Sequence, residues 1–291
     1  MTDETAPEKS SGPGSAPDLD SGNERPADWK TMDDFAAGIA TNRLPATGDL
    51  VGRGLIVLDR DGTATALDFT GADRVQWTRT TVDGEKTSGE DWYEAVAVRP
   101  GLFFLQQRFA DDVLRAEVTV LDTGSGRTLR IDSVIGDTPR PGAPRVDQVF
   151  TPGVLEGLLD VDAALPGSDG VAEETRDLIG WRALYRYSPN HLYEHVYLSS
   201  QRYAWQCLVG EQRGHGDIDL ASTWKFGEDL YVFTFREFKI PVAATWLYDF
   251  SQMRSTGMFL GLGAGGVTLA PGGAYITELN RTVYPRDAQP V

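Results

Sequence analysis

Asp-Leu-Val-Gly at residues 49–52 recurs as Asp-Leu-Ile-Gly at residues 177–180, an offset of 128 residues. Three further features recur at the same offset: Trp77 as Trp205, residues 102–105 as residues 230–233, and Arg108 as Arg236. Separate features that share one ungapped offset over about sixty residues indicate an internal duplication. The chain is therefore predicted to contain two copies of one domain.

The segments inside each copy are short, alternate between apolar and polar residues, and are separated by turn residues. Residues 55–58, 63–69 and 74–80 are examples, with Asp-Arg-Asp-Gly at residues 59–62 as a turn. This pattern is typical of antiparallel barrels. We predict an all-β fold made of two tandem lipocalin-like antiparallel β-barrels with a short N-terminal helix. A barrel of eight strands is just wide enough to hold one small ligand.

The helix is predicted at residues 31–40, where Met32, Phe35 and Ile39 fall at helical spacing and Thr31 with Asp34 resembles a capping box. It could close the mouth of one barrel. The predicted domain boundaries run as follows: a disordered tail at 1–28, an N-terminal barrel at 29–136, a linker at 137–176 with a short helix near residues 154–159, a C-terminal barrel at 177–285 and a tail at 286–291.

Composition limits the classes of partner. The formal charge of -16 and the pI of about 4.6 repel phosphate backbones, which argues against nucleic acid and against an anionic membrane surface. The single cysteine, Cys207, excludes an internal disulfide and a cysteine-rich metal site. The N-terminal region contains no apolar run that would indicate a signal peptide. We therefore expect a cytoplasmic protein. The oligomeric state is left open, with a homodimer as one option.

Residues 190–198 contain two of the three histidines. The repeat aligns residues 191–197 with the strand at 63–69, so this stretch is predicted to be a strand with His191, Tyr193, His195 and Tyr197 on its inner face. Residues four apart on a strand lie about 13 Å apart, so the two histidines cannot share a metal ion. We expect neither a metal nor an organic cofactor, and interpret this face as the polar wall of a pocket.

Other strands are predicted to complete the wall. Trp205 lies on an alternating face, and Tyr231 and Phe233 share a face that ends at Glu237. Burial on that apolar wall would raise the pKa of Glu237 and suit it to acid–base chemistry. A salt bridge from Glu237 to Arg236 or Lys239 is the alternative. Arg236 is a further candidate ligand contact, although its repetition of Arg108 favours a scaffold role.

A glycine-rich stretch at residues 261–266, Gly-Leu-Gly-Ala-Gly-Gly, matches the dinucleotide-binding fingerprint. That fingerprint requires a preceding strand and a following helix. Val-Thr-Leu-Ala-Pro-Gly-Gly follows here, which cannot form the helix. We interpret the stretch as a glycine-rich hairpin or loop at a barrel mouth.

The chain resembles the MoaF family. The resemblance rests on residues 177–180, on Tyr-Arg-Tyr-Ser-Pro-Asn-His-Leu-Tyr-Glu-His-Val-Tyr-Leu at residues 185–198 and on Leu-Tyr-Val-Phe-Thr-Phe-Arg-Glu at residues 230–237. In the first half, the resemblance rests on residues 93–104, Tyr-Glu-Ala-Val-Ala-Val-Arg-Pro-Gly-Leu-Phe-Phe. The resemblance implies two lipocalin-like barrels. The family name is also used for genes associated with aromatic monoamine metabolism. The resemblance therefore implies an aromatic substrate.

Two functions fit these observations. The first is a cofactor-independent enzyme of the lyase, cyclase or isomerase type, acting on a small molecule derived from an aromatic amine or acid in specialised metabolism. His195 would be its general acid/base, Glu237 an orienting group or second base, and Tyr197 a hydrogen-bond donor. His191, Tyr193, Trp205, Tyr231, Phe233 and Arg236 would contact the ligand. The second function is a non-catalytic small-molecule binding or sensing protein that uses the same wall.

Overall fold

The computed structural model describes residues 18–156 and 170–291. Two closed eight-stranded antiparallel barrels follow one another in the chain, preceded by one short helix. The predicted all-β fold with tandem barrels is confirmed.

The helical segment consists of α1 (Met32–Phe35), followed by a 3-10 turn at Ala36–Gly38. The Thr31 backbone N–H donates to Asp34 Oδ2 at 2.7 Å, which confirms the capping box. Met32 and Phe35 are buried. The helix is shorter than the predicted 31–40, and no helix in the described part of the chain is long and apolar enough to cross a membrane.

The first barrel closes through the pairing of its first and last strands. Its strands are β1 (Gly54–Asp59), β2 (Ala64–Phe69), β3 (Arg74–Thr80), β4 (Lys86–Arg99), β5 (Leu102–Arg108), β6 (Arg115–Asp122), β7 (Arg127–Ile135) and β8 (Val146–Leu155). Each strand also pairs antiparallel with its neighbour in sequence.

The second barrel repeats this order and is joined by one extra strand. Its members are β9 (Glu173–Glu174), β10 (Trp181–Ser188), β11 (His191–Tyr197), β12 (Arg202–Val209), β13 (Gly216–Gly227), β14 (Leu230–Arg236), β15 (Val242–Asp249), β16 (Arg254–Gly263) and β17 (Gly266–Arg281). Closure comes from the pairing of β10 with β17 and of β12 with β13, while β9 lies beside β13. Strands β5 and β14 have identical lengths and start 128 residues apart, at Leu102 and Leu230.

Three segments differ from the predicted boundaries. Residues 146–155, placed in the linker, form β8, because the first barrel needs an eighth strand to pair with both β7 and β1. Val154 and Leu155 end that strand, so the proposed helix near 154–159 does not start there, and its remaining residues 157–159 lie outside the described range. Residues 18–28 make specific contacts: Arg145 Nη1 donates to the carbonyls of Asp18 and Asp20.

The barrels pack against each other through the outer faces of their later strands. Val118 and Ile131 of the first barrel belong to one buried cluster with Val232 and Leu260 of the second. In β6 and β7 the usual arrangement of side chains is therefore reversed. The apolar side chains face the other barrel, and the polar ones face the lumen.

The lumen of the first barrel is therefore charged along one side. Arg130 Nη2 lies 2.6 Å from Asp59 Oδ2, and Arg79 Nη2 lies 2.8 Å from Glu117 Oε2. The general rule that the apolar face of a barrel strand points inward therefore fails for β6 and β7, because the second barrel covers their outer faces.

Candidate functional site

The helical segment lies across the mouth of the second barrel, although it precedes the first barrel in sequence. Phe35 and Ile39 project from it and line a cavity inside that barrel. Phe35 packs edge-to-face against Phe259 of β16, with ring centroids 5.5 Å apart. We call residues 29–39 the lid.

The glycine-rich stretch explains how the lid can approach so closely. A Cβ atom on Gly261 would overlap the sulfur of Met32, and one on Gly263 would overlap the carboxylate of Asp33. The Ala264 backbone N–H donates to Asp33 Oδ2 at 2.7 Å. The glycines that imitate a nucleotide fingerprint therefore form the seat of the lid, since only residues without a side chain fit there.

The cavity beneath the lid is small and mostly aromatic. The volume open to the centre of a water-sized sphere is about 30 Å³, room for about two water molecules. Its walls are Phe35, Ile39, Tyr187, Tyr193, His195, Tyr203, Trp205, Gln212, Phe235, Glu237 and Phe259. A larger guest requires the lid to move.

His195 projects from β11 into this cavity and is 4% exposed. Its ring stacks on Tyr185 with centroids 4.2 Å apart. Its Nδ1 atom has no hydrogen-bond partner, and burial lowers the pKa of the imidazole to about 3. The side chain is therefore neutral at pH 7 and presents an unused polar atom inside the barrel.

Glu237, just beyond β14, brings a carboxyl group to the same cavity. Burial raises its pKa well above the usual range, and the negative charges of Asp219 and Asp217 raise it further. No side chain or backbone donor among the described residues is hydrogen-bonded to this carboxyl group. Glu237 is therefore protonated over a wider pH range than an ordinary glutamate.

The ring of Trp205 lines the cavity, and its N–H group is hydrogen-bonded to Asp219. Nε1 donates to Asp219 Oδ2 at 2.8 Å, and the Phe238 backbone N–H donates to Asp219 Oδ1 at 3.1 Å. Burial raises the pKa of Asp219 to about 7, against the opposing effect of the Trp205 hydrogen bond.

The first barrel contains the same arrangement. Trp77 Nε1 donates to Asp91 Oδ2 at 2.7 Å, and the Ala110 backbone N–H donates to Asp91 Oδ1 at 2.8 Å. Trp77, Asp91 and Ala110 each lie 128 positions before the residue with the same role in the second barrel. The tryptophan–aspartate pair therefore belongs to the duplicated scaffold, while Glu237, which replaces Phe109 of the first copy, is particular to the second.

Tyr193 lies on the cavity wall and donates to Gln212 Oε1 at 2.8 Å. Gln212 comes from the loop between β12 and β13, and its Nε2 atom is buried without a partner. Two unpartnered polar nitrogens, one on Gln212 and one on His195, therefore belong to the walls of one cavity. Both could bond a bound molecule.

Tyr197 lies deeper in the barrel and does not line the cavity. Its hydroxyl is 2.6 Å from that of Tyr185 and donates to that of Tyr248 at 3.0 Å. Burial is the main cause of the raised pKa of all three. The trio forms a neutral floor beneath His195, which places Tyr197 in a supporting position.

The other predicted contacts are spread over the barrel. His191 lies at the mouth beside the lid, where its Nδ1 is 3.0 Å from Ser188 Oγ. Phe233 is buried near His195, with ring centroids 6.3 Å apart. Tyr231 lies at the opposite end and donates to Asp177. Arg236 lies outside the lumen, because it alternates with the inward-facing Phe235.

The inner face of β11 thus carries the predicted His191, Tyr193, His195 and Tyr197, and the cavity brings together His195, Glu237, Tyr193 and Trp205. The sequence predictions omitted Gln212 and Asp219, and they named Phe35 and Ile39 only as positions on a helix that could close a barrel mouth. Asp219 could have been found, because Asp91 and Asp219 share the offset of Trp77 and Trp205. Nothing in the sequence indicated which barrel the lid covers.

Comparison with known proteins agrees with this two-barrel architecture. Family models match at residues 27–137, described as the MoaF N-terminal domain, and at residues 172–282, described as the MoaF C-terminal domain. Protein MoaF of Klebsiella aerogenes is 33% identical over 197 residues, covering 65% of this chain and 74% of that protein.

One solved structure, from Burkholderia vietnamiensis and provisionally described as a beta-lactamase, covers 35% of this chain and 95% of its own. With 12% identity and a TM-score of 0.31, that likeness carries no functional argument. The matches to both domain models and to Protein MoaF of Klebsiella aerogenes show that this chain belongs to the MoaF family.

Proposed function

We propose that the second barrel encloses a small aromatic molecule beneath the lid and exchanges a proton with it. The observation that carries this proposal is the meeting of two buried titratable groups, His195 and Glu237, at one aromatic-walled cavity. Their pKa values are shifted in opposite directions, a pattern found where acid–base roles are divided.

The pKa directions favour Glu237 as the group that exchanges the proton. A carboxyl group with a raised pKa keeps its proton at higher pH than an ordinary glutamate, so it can donate that proton and take one back from another atom of the same substrate. His195 is a weak base when its pKa is about 3, so its role is to accept a hydrogen bond at Nδ1 and orient the substrate. This chemistry suits a cofactor-independent isomerase, lyase or cyclase.

The charge of the wall favours an amine over an acid. Glu237 is the acidic residue of the cavity, and no lysine or arginine of the described chain lines it. An ammonium group would pair with Glu237 in its ionised form, whereas a carboxylate ligand would find no cation among the described wall residues to compensate its charge. The faces of Trp205, Tyr203 and Phe235 would hold the aromatic ring and stabilise a cation beside it.

A second candidate is binding without turnover. The weak basicity of His195 supports it, because an imidazole of this kind serves hydrogen bonding better than proton abstraction. The same wall, lid and amine preference apply. The two candidates differ only in whether Glu237 exchanges a proton with a substrate carbon or oxygen.

The test is a comparison of turnover and binding. The full-length protein is incubated with tyramine and with 4-hydroxyphenylacetate in deuterated water, and deuterium incorporation and product masses are measured. Glu237→Gln keeps the size of the side chain and removes the exchangeable carboxyl proton, while Glu194→Gln, on the outer face of β11, is the matched control.

Turnover or deuterium incorporation that disappears only in Glu237→Gln supports the enzyme. Binding of tyramine by the parent protein with neither product nor deuterium supports the binding protein. Failure of both compounds to bind, measured by calorimetry, contradicts the proposed aromatic site for this class of ligand.

A further inference from the structure

A second candidate site lies outside both lumens, at a fork in the second barrel's sheet. Strand β13 pairs with β12 as far as Leu220 and with β9 from Trp224 onward. Between these pairings, residues 221–223 border a cleft with a volume of about 510 Å³ open to the centre of a water-sized sphere. Small-molecule sites commonly have volumes of about 300–1,000 Å³.

Arg236 lies in the wall of this cleft without an acidic partner. Its guanidinium donates to Gln148 Oε1 at 3.4 Å and to Ser222 Oγ at 3.2 Å, both neutral oxygens. No carboxylate of the described chain lies within ion-pair distance of it. A partly buried guanidinium without a counter-ion is costly, because its charge is removed from water without compensation.

A second arginine adds to the same positive field. Leu220 of β13 is the cross-strand partner of Arg202 on one side and of Arg236 on the other. The two arginine side chains therefore project from the same outer surface of the barrel. Arg202 Nη1 is buried without a hydrogen-bond partner. These two neighbouring guanidinium groups have no acidic partner among the described residues, although the chain carries a formal charge of -16.

The electrostatics of Arg236 agree with this geometry. Burial lowers its pKa to about 10, and the positive charge of Arg202 also lowers it, while Asp147 acts in the opposite direction. Asp147 itself is paired with Arg140 at 2.9 Å. Glu174 also lines the cleft, but it is exposed at the rim and forms no ion pair with Arg236.

We propose that this cleft binds a small molecule through an oxyanion group, a carboxylate or a phosphate, held by Arg236 with Ser222 and supported by Arg202. A guanidinium matches two oxygens of such a group in a fork geometry. Ser222 Oγ, which now accepts from Arg236, can rotate to donate to the same oxyanion. This site is separate from the aromatic cavity, and its assignment does not depend on the function proposed there.

The duplication supplies an internal control. Arg108 is the counterpart of Arg236 in the first barrel, but it is exposed and lies over the ring of Trp92 at 6.0 Å. The corresponding cleft there is lined by three acidic and three basic side chains, Asp73, Glu90, Asp91, Arg74, Arg108 and Arg115, so its charges compensate one another. Arg108→Gln therefore removes the same charge from the same repeat position without affecting the proposed site.

The experiment is a titration of the full-length protein with inorganic phosphate in one arm and benzoate in the other. Binding is followed through the Nε–H NMR signals of the arginines, with chloride added to keep ionic strength constant. The parent is compared with Arg236→Gln, Arg108→Gln and Arg236→Lys, the last of which retains the charge and loses the fork.

We expect saturable shifts of Arg236 and Arg202 in at least one arm, and the arm that responds identifies the oxyanion. Affinity should fall by about tenfold or more in Arg236→Gln, a loss of about 1.4 kcal/mol, fall less in Arg236→Lys and stay unchanged in Arg108→Gln. The proposal is overturned by the absence of saturation up to about 10 mM in both arms, by unchanged binding in Arg236→Gln, or by an equal loss in Arg108→Gln.

Discussion

Trp205 donates a hydrogen bond to Asp219 at 2.8 Å, and this pair reproduces the Trp77–Asp91 pair of the first barrel at 2.7 Å. One pair lies beside the buried carboxyl group of Glu237, and the other beside Phe109, which packs edge-to-face on Trp77. The tryptophan–aspartate pair therefore belongs to the scaffold of both barrels, whereas the buried carboxyl group of Glu237 belongs to the candidate site of the second.

Replacing each aspartate by asparagine tests that separation. Asp219→Asn and Asp91→Asn should each destabilise the fold by about 1–3 kcal/mol, because an amide cannot accept both hydrogen bonds of the buried carboxylate. Chemical denaturation measures this loss. Only Asp219→Asn should also lower the pKa of Glu237, which infrared titration of the protonated carboxyl band follows.

An Asp219→Asn protein in which the carboxyl titration is unchanged would show that the charge of Asp219 does not act on Glu237. The Asp91→Asn protein controls for the structural cost, since it loses the same two hydrogen bonds far from that carboxyl group.

Glu237→Gln should change the pH dependence of stability in a defined direction. The pKa of Glu237 is raised in the folded protein, so its favourable contribution is present below the unfolded pKa of about 4.3 and is lost as the pH rises through the folded pKa. The variant should therefore gain stability relative to the parent as the pH rises above the unfolded pKa. Urea denaturation at several pH values measures the difference.

Glu194→Gln should show the opposite trend. A hydrogen bond from Arg182 is the main cause of the lowered pKa of Glu194, so its contribution is present above the unfolded pKa and disappears as the pH falls through the folded one. The variant should be less stable than the parent at neutral pH and equal to it in strong acid. Equal trends for Glu194→Gln and Glu237→Gln would contradict the assigned environments.

Gly263→Ala should loosen the lid. The added Cβ would displace the Asp33 carboxylate and weaken its hydrogen bond to the Ala264 N–H. We expect amide hydrogen exchange in residues 29–39 to rise by about tenfold, which corresponds to about 1.4 kcal/mol of local stability. Mass spectrometry of peptides from this segment measures it.

Gly265→Ala is the matched control, because a Cβ at that position has nothing within 4 Å. Equal exchange in the two variants would show that Gly263 does not hold the lid in place.

The sequence was sufficient to predict the duplicated barrels, because a shared offset survives wherever scaffold residues are repeated, as in Trp77 and Trp205. It also predicted which face of β11 points inward, since alternation fixes that once the strand is recognised. It could not reveal that the lid covers the second barrel, because that contact joins residues such as Asp33 and Ala264 that are far apart in the chain.

The charged lumen of the first barrel was missed for a different physical reason. Strand β7 carries apolar residues on the face that meets the other barrel, so Arg130 and its neighbours point inward against the usual rule. Alternation in a sequence shows that two faces differ, but it does not show which one a neighbouring domain will cover.

In the proposed function, an aromatic amine enters the second barrel beneath the lid and lies against His195. A Cβ on Gly263 would lie 2.7 Å from Asp33 Cγ, so cysteines at these two positions would have Cβ atoms no more than about 4.2 Å apart. Native disulfides have Cβ atoms about 3.5–4.5 Å apart, a separation that small shifts of the lid can reach. The Asp33→Cys, Gly263→Cys protein can therefore lock the lid when oxidised and release it when reduced.

The most direct measurement is the NMR spectrum of the three histidine rings during titration of this variant with tyramine. We predict that tyramine shifts the His195 signals in the reduced protein and that oxidation abolishes the shift. Signals of His195 that do not respond in the reduced protein, or that respond equally in both states, would contradict the account.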